Sequence, residues 1–532
     1  MFKSSVISFD SYFKLPNQDL RTYFGNVVKG QPNVYDTPFA KGESTEHLLA
    51  AWDDTLVSIS DKWPTLYEFE SDLAAKVGPL SVRKPLKDRM DDIQAYYDGI
   101  KLPAKPILDR ALLAVRKEWA QVRGLQIRNQ QKTVDLMKKS SNSGSPFFTK
   151  RRNVVDKTLP VSEVYMNQGT VHTKLNGSEV WNACAVLGWR GQEGGSSDDD
   201  VKQRVVFMFP FAVNIEELRV YQPLIEAAQK FNLVPSWVSM ESVDRTITRL
   251  FDTKRDEDLV VCTDFTKFDQ HFNSSLQDAA RFLLQAIFTP NKEMSSWISD
   301  VFPVKFSIPL AYDYGAIKYG NHGMGSGSGG TNADETLAHR ALQYEAAILK
   351  GEHLNPNSQC LGDDGILSYP GITVEDVVRA YQQHGLEMNN SKQYASTQDC
   401  VYLRRWHHKD YRINGVCAGV YSTNRALGRL RYLERYYDPE VWGPKMVALR
   451  QLSIIENVKN HPLRDQFAEF CMKRDKYRLG IDIPGFLDNI EDEAKKAIEL
   501  MPDFLGYTKT MQADAQGLGI GSWWIVKYLK SR

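Results

Sequence analysis

Four aspartates in this chain stand where a backbone can hold side chains in fixed directions. Asp264 follows the apolar run Leu259-Val-Val-Cys-Thr263, and Asp269 comes five positions later, across Phe265-Thr-Lys-Phe268. Far downstream, Asp363 and Asp364 lie inside Gly362-Asp-Asp-Gly365, between the apolar pairs Cys360-Leu361 and Ile366-Leu367. Carboxylates at strand ends and tight turns suit a hard cation, because magnesium takes oxygen ligands and is bound through one or two carboxylates plus substrate phosphates. Two such ions ~4 Å apart activate an attacking hydroxyl and stabilise a leaving oxygen. Taken singly these features are weak. A Gly-Asp-Asp tripeptide arises by chance in roughly one chain in ten of this length, and Gly-Asp and Asp-Gly are ordinary turn formers.

The elements that must position these residues are readable in part. Leu259-Val-Val predicts a short strand ending at Thr263-Asp264, and Gly362-Asp-Asp-Gly365 predicts a hairpin turn between two strands. Arg204 to Phe209 is β-rich and stops at Pro210. Ser44 precedes apolar residues at 48, 49, 52, 56 and 59, a helical face behind a cap. Helices are also predicted from Pro106 to Trp119 with a stop at Gly124, behind Asn273-Ser274, and from Thr373 to His384 with a stop at Gly385. Gln192 to Asp200 is polar and reads as a mobile loop. Gly320 to Gly330 holds six glycines in eleven residues and reads as a loop making close backbone contacts. Strands mixed with helices give an α+β class.

Composition sets outer limits. At 532 residues the chain exceeds one compact core. Its 66 basic and 66 acidic residues cancel, so any nucleic-acid surface must come from segregated charge. The six cysteines are scattered without a Cys-x-x-Cys pair, which argues against structural zinc and for reduced thiols in an intracellular setting. No signal peptide and no apolar stretch of membrane-spanning length is legible.

Taken in order, the motifs resemble those of viral RNA-dependent RNA polymerases, of the double-stranded-RNA virus type and nearest the picobirnavirus group. Asp264-Phe-Thr-Lys-Phe-Asp269 resembles the first palm motif. Ser326-Gly-Ser-Gly-Gly-Thr331-Asn332 and the helix after it resemble the second, and Leu361-Gly-Asp-Asp364 the third. Gly385-Leu-Glu-Met-Asn-Asn-Ser-Lys392 resembles the fourth, and Tyr402-Leu-Arg-Arg405 the fifth. Upstream, Lys202-Gln-Arg204 resembles the fingers motif that grips triphosphates, and Ser143-Gly-Ser-Pro146 the motif where template comes in. One position departs: many relatives carry Asn four residues after the motif threonine, and this chain has Glu335. Either Asn332 takes that role or the helix register differs.

The resemblance implies a right-hand polymerase with an antiparallel palm sheet. It also implies boundaries: an N-terminal extension at 1–75, fingers at 76–255 and 272–325, palm at 256–271 and 326–425, and thumb with a tail at 426–532. Two Mg2+ ions, which Mn2+ can replace, are expected on Asp264, Asp363 and Asp364, with Lys392 as the acid for departing pyrophosphate. Asp269 is expected at the ribose 2′-hydroxyl. Lys202, Arg204 and Arg190 are expected at the triphosphate, and Ser326, Thr331 and Asn332 around the nucleotide. Arg404, Arg405, Ser143, Gly144 and Pro146 are expected on RNA, with a basic and aromatic stretch from Arg425 to Tyr437 tracking a duplex. Implied partners are template and nascent RNA, ribonucleoside triphosphates and a capsid protein, in the virion interior and host cytoplasm and without a membrane. A reverse transcriptase and a non-catalytic RNA-binding or capsid protein are the rival readings. Finally, Gly517-Leu-Gly-Ile-Gly-Ser-Trp-Trp524, with Tyr528 and Lys527, suggests a tail that folds into the channel to support initiation, against the alternative that its tryptophans pack on the thumb core.

Overall fold

The computed structural model describes residues 8–438, 440–441, 443–500 and 519–532. Its centre is a four-stranded antiparallel sheet in the order Gln359–Leu361, Asp364–Leu367, Val260–Thr263, Tyr394–Ser396. Val260–Thr263 is buried along its whole length, as a strand covered on both faces must be, and it pairs with both neighbours. The expected hairpin forms with a tighter turn than Gly362-Asp-Asp-Gly365. Only Gly362 and Asp363 bridge the strands, and Asp364 is already paired with Leu361. Gly362 takes φ +58°, the left-handed conformation that favours glycine.

A second four-stranded sheet joins Lys202–Met208, Ala185–Gln192, Leu310–Asp313 and Ala316–Lys318, with one parallel pairing between Ala185–Gln192 and Leu310–Asp313. A smaller sheet, Asp399–Tyr402, Arg405–His408 and Val420–Tyr421, flanks the central one. The long helix Thr331–Leu349 packs behind the central sheet on helices Asp109–Glu118 and Ser274–Ile287. The last of these is capped by Asn273, whose Oδ1 accepts from Ser275 and Leu276 N–H as the sequence suggests. Helix Thr45–Leu56 is capped by Ser44 and Val374–Gln382 by Thr373. The helix expected from Pro106 begins later, at Asp109, since 103–108 run extended.

Two large cores result. One unites the central sheet, the long helix and most of residues 93–388. The other unites residues 39–73 with residues 406–529. Trp52 lies edge-on to Phe467 and donates from Nε1 to Thr423 Oγ1, and Glu70 accepts from Thr423 and Asn424. Residues 39–73 are therefore part of the C-terminal body, whereas Tyr12, Phe13, Leu20 and Phe24 pack on Phe148, Cys184 and Val186. All six cysteines are buried and unpaired, and among the described residues no helix is long and apolar enough to cross a membrane.

Candidate active site

A cavity of about 2210 Å³ runs between the two bodies, floored by the end of the central sheet. It is larger than the roughly 300–1,000 Å³ of a small-molecule pocket, so a nucleotide alone does not fill it. Its floor is acidic, with Asp264, Asp269, Glu335, Asp363 and Asp364. Its walls carry Arg190, Lys202, Arg204, Lys392, Arg404, Arg425 and Arg429. Charges that cancel over the chain are thus segregated here.

The register of the sheet builds the floor. Thr263 pairs with Gly365, so Asp264 leaves the central strand opposite Asp364, with Asp363 one step out at the turn. Helix Thr331–Leu349 fixes the turn from behind. Thr336 Oγ1 accepts from Gly362 N–H at 2.9 Å, and His339 Nδ1 donates to Gly362 O at 2.8 Å. Gln343 Nε2 donates to Gln359 O at 2.9 Å and to Ile366 O at 3.2 Å, clasping both strands. Burial lowers the His339 pKa to about 4, so the ring is neutral and donates from Nδ1 alone. Asp264 is held by Gln393, which bonds both its N–H and its carbonyl. None of these four polar residues stands out as a motif. Their signal is spacing, since 336, 339 and 343 share one helix face and lie buried among apolar neighbours.

The acidic groups raise one another's proton affinity. Asp264 is raised by burial, countered by Lys392 and Lys76. Asp363 is raised by its low-dielectric surroundings and by Asp269 and Asp264, countered by Arg204. Asp364 is pushed up to about 7 by burial and Asp363, even though its Oδ2 accepts from Leu403 N–H at 2.8 Å. Glu335 is raised well above the ordinary carboxyl range by burial and then by Asp269 beside it. It holds the position four residues after Thr331, in continuous helix, so the register is regular and an acid stands in place of an amide. Asn332 is exposed and accepts from Trp237 Nε1 at 2.8 Å.

A crowded set of carboxylate oxygens without matching cations fits hard divalent ions. Among the described residues no group of three or more His, Cys, Asp or Glu side chains stands arranged to hold a metal ion by itself.

The remaining expected residues divide. Lys202 and Arg204 point the same way from their strand, and Arg190 pairs with Arg204 across the ladder, so the three share one wall. Lys392 is exposed on the channel next to Gln393. Ser326 and Thr331 line the cavity, but the glycines around them press against protein and not into open channel. A Cβ on Gly327 would lie 1.7 Å from Phe207 O, and one on Gly330 2.4 Å from the Tyr221 ring. Glu217 accepts from Ser328 Oγ and from Gly329 N–H, securing the loop from below.

Arg404 lines the channel at the turn with Leu403, both at positive φ. Arg405 lines the same channel, but its guanidinium is held on both Asp244 oxygens at 2.9 and 3.2 Å and its side chain is only 12% exposed. Ser143, Gly144 and Pro146 are buried and do not line the cavity. They tie the N-terminal segment to the strand end, through Lys14 N–H to Pro146 O and Phe211 N–H to Ser143 O. The polar stretch after Gln192 is not loose either, because Glu193 pairs with Arg404, Arg425 and Arg429.

Of the two readings of the tail, the structure agrees with packing on the C-terminal body. Residues 517 and 518 lie outside the described residues. From 519 the chain forms a short turn and the helix Trp524–Lys530, whose Ile525, Val526 and Leu529 are buried with Trp523 in the C-terminal core. Glu456 accepts from Trp524 and Ile525 N–H at its start. The tryptophans therefore pack on the body, and only Ser522, Trp523 and Lys527 reach the channel wall.

Comparison with known proteins agrees with this geometry. A family model described as viral RNA-dependent RNA polymerase matches residues 63–469. A protein described as a potential RNA-dependent RNA polymerase, from Human picobirnavirus (strain Human/Thailand/Hy005102/-), is 61% identical over 526 residues, 98% of each chain. The crystal structure of the RNA-dependent RNA polymerase of a human picobirnavirus superposes with a TM-score of 0.94 at 60% identity, and that of its insertion loop deletion mutant with 0.92 at 59%, each covering 98% of both chains. With a family model over most of its length, a matching fold and this level of identity, the chain belongs to the viral RNA-dependent RNA polymerase family.

Proposed function

We propose that this RNA-dependent RNA polymerase joins ribonucleotides on the floor built by Asp264 and Asp363, replicating and transcribing a double-stranded RNA genome. The observation that carries the reading is the convergence of Asp264 and Asp363 at one end of an antiparallel sheet, beneath a basic wall. Asp264 and Asp363 would hold two magnesium ions, or manganese in their place, with Asp364 assisting. When bound, such ions lower the pKa of an attacking hydroxyl and neutralise charge on phosphate oxygens.

The chain's own residues supply position and charge. Lys202, Arg204 and Arg190 hold the triphosphate from the wall, Arg204 through a planar fork. Asp269, with Glu335 against it, accepts from the ribose 2′-hydroxyl. The 3′-hydroxyl of the growing strand gives its proton to solvent as its oxygen attacks the α-phosphate. The bond from that phosphorus to the bridging oxygen of the β-phosphate breaks, and Lys392 Nζ gives a proton to the departing pyrophosphate and is reprotonated from solvent. Base pairing selects the nucleotide, so contacts from Arg404 and the rest of the basic wall go to RNA backbone.

In this reading the central sheet with the long helix is the palm, the basic two-stranded wall belongs to the fingers, and the C-terminal body with residues 39–73 is the thumb. RNA template, nascent RNA and ribonucleoside triphosphates are its partners. Capsid protein and a place inside the virion and the host cytoplasm fit a double-stranded-RNA virus enzyme.

The test is incorporation of NTPs against dNTPs on an RNA template with magnesium. Asp264→Asn and Asp363→Asn are expected to abolish synthesis while RNA binding and folding persist. Wild-type rates from Asp363→Asn would refute the assignment. Preferred dNTP incorporation would favour a reverse transcriptase.

A further inference from the structure

Three arginines of the C-terminal half share a single carboxylate from the other side of the channel. Glu193 accepts from Arg425 Nε at 2.8 Å, lies 2.8 Å from Arg429 and 3.3 Å from Arg404. Its side chain is 11% exposed, whereas those of Arg404 and Arg429 are 53% and 34% exposed, so the carboxylate is enclosed and the guanidiniums face the channel. All four line the same cavity as the catalytic floor. Arg404 sits on the turn that Asp364 holds through Leu403 N–H, and Arg425 and Arg429 lie one turn apart on helix Thr423–Arg431.

One carboxylate does not neutralise both Arg404 and Arg429, the two more exposed guanidiniums it pairs with. The excess positive charge faces a channel meant for polyanions. A guanidinium fork binds carboxylate and phosphate with the same geometry, and a phosphate offers more acceptor oxygens and more charge. The backbone that carries Glu193 is closely packed: a Cβ on Gly191 would lie 2.1 Å from Leu80 O, and one on Gly194 2.0 Å from Asp200 O. Exchange therefore needs rotation of the Glu193 side chain, not opening of the loop. The strand just before Glu193, Ala185–Gln192, carries Arg190, opposite Arg204 on the triphosphate wall.

We propose that Arg404, Arg425 and Arg429 form a phosphate-binding site, and that Glu193 occupies it in the empty enzyme as an internal stand-in that an RNA or triphosphate phosphate displaces. The proposal rests on the polymerase reading of the channel. Glu193 would preorganise the three arginines before RNA arrives and bias the channel against weak or stray anions.

The test uses the full chain and fluorescence anisotropy with a labelled primer–template RNA duplex over a series of KCl concentrations. Glu193→Gln removes the competing charge and keeps the shape. It is expected to tighten duplex binding roughly fivefold at low salt and to steepen the slope of log K against log[KCl] by about one unit. Adding Arg429→Gln to it should cancel the gain. Arg404→Gln alone should weaken binding and flatten the slope. A parallel titration with inorganic tripolyphosphate separates the sources: a gain for the duplex only assigns the site to RNA backbone, and a gain for tripolyphosphate assigns it to a triphosphate. Unchanged or weaker binding of both probes to Glu193→Gln, whatever its melting temperature, overturns the proposal, as does unaltered duplex affinity in Arg404→Gln. Primer extension by the wild type keeps the two readings distinct, since its failure counts against the polymerase function and not against the latch.

Discussion

Gln393 grips the backbone of Asp264 at both ends of the residue: its Oε1 accepts from Asp264 N–H at 2.7 Å, and its Nε2 donates to Asp264 O at 2.8 Å. The same Nε2 donates to Asn389 O at 3.0 Å, which ties the segment bearing Lys392 to the strand end that carries Asp264. Gln393 is buried, so loss of either function leaves unpaired backbone groups, each costing ~1–3 kcal/mol. Gln393→Ala is expected to lower kcat by on the order of ten- to hundredfold with RNA affinity kept. Gln393→Glu should do no better, because a carboxylate accepts from the N–H but cannot donate to the two carbonyls. Single-turnover primer extension measures both. A fully active Gln393→Glu would show that the clasp does not position Asp264.

The pairing of Asp269 with Glu335 bears on sugar choice. Asp269→Ala is expected to reduce the preference for NTP over dNTP by roughly tenfold, the worth of one polar contact of ~1–3 kcal/mol. Glu335→Gln keeps a donor toward Asp269 and should retain most discrimination, whereas Glu335→Ala should lose it. Competition between NTP and dNTP at a single template position gives the ratio. Unchanged discrimination in both alanine variants would make the pair structural.

The titration of buried acids sets a pH dependence in the metal-free protein. Asp364 and Glu217 are each held up to about 7, chiefly by burial, against values near 4 in the unfolded chain. Between those limits they bind more protons in the folded state than in the unfolded one. The stability these two acids contribute is therefore lost as pH rises from about 4 to about 7. His339 and His407, held down to about 4 by burial, contribute in the opposite sense up to about 6.5, so the acids are read by difference. Melting temperatures measured in EDTA from about pH 4.5 to 7.5 should show wild type losing stability relative to Glu217→Gln as pH rises. A difference between the two that does not change with pH would contradict the Glu217 shift.

The C-terminal helix is expected to act through stability. Ile525, Val526 and Leu529 are buried in the C-terminal core, and burying each such side chain is worth ~1.5–3 kcal/mol. Deleting residues 519–532 also leaves Glu456 without the two N–H groups it accepts from. Melting temperature should drop by several degrees, with primer-independent and primer-dependent synthesis falling together. Selective loss of primer-independent initiation at an unchanged melting temperature would restore a direct role for the tail.

The convergence of Asp264 and Asp363 was legible in the sequence because it is carried by residue types in a fixed order. A strand ending in Asp264, a turn at Gly362-Asp363 and a glycine run before a helix are local patterns, set by backbone conformations that neighbouring residues dictate. Helix caps at Ser44 and Asn273 were legible for the same reason, as was a helix starting at Thr373, which proves to be its cap. Tertiary structure alone decided which polar residues serve those patterns. Thr336, His339, Gln343 and Gln393 look ordinary in the chain, and become positioning groups only when the helix packs behind the hairpin and unpaired backbone groups need partners. It also decided which charges face the channel. Arg405 and Arg404 are adjacent in sequence, yet strand alternation and a turn at positive φ send one onto Asp244 and leave the other exposed on the wall. Glu193, 211 positions from Arg404 and 232 from Arg425, meets them because two bodies close on one another, and no local pattern encodes a contact made across that distance.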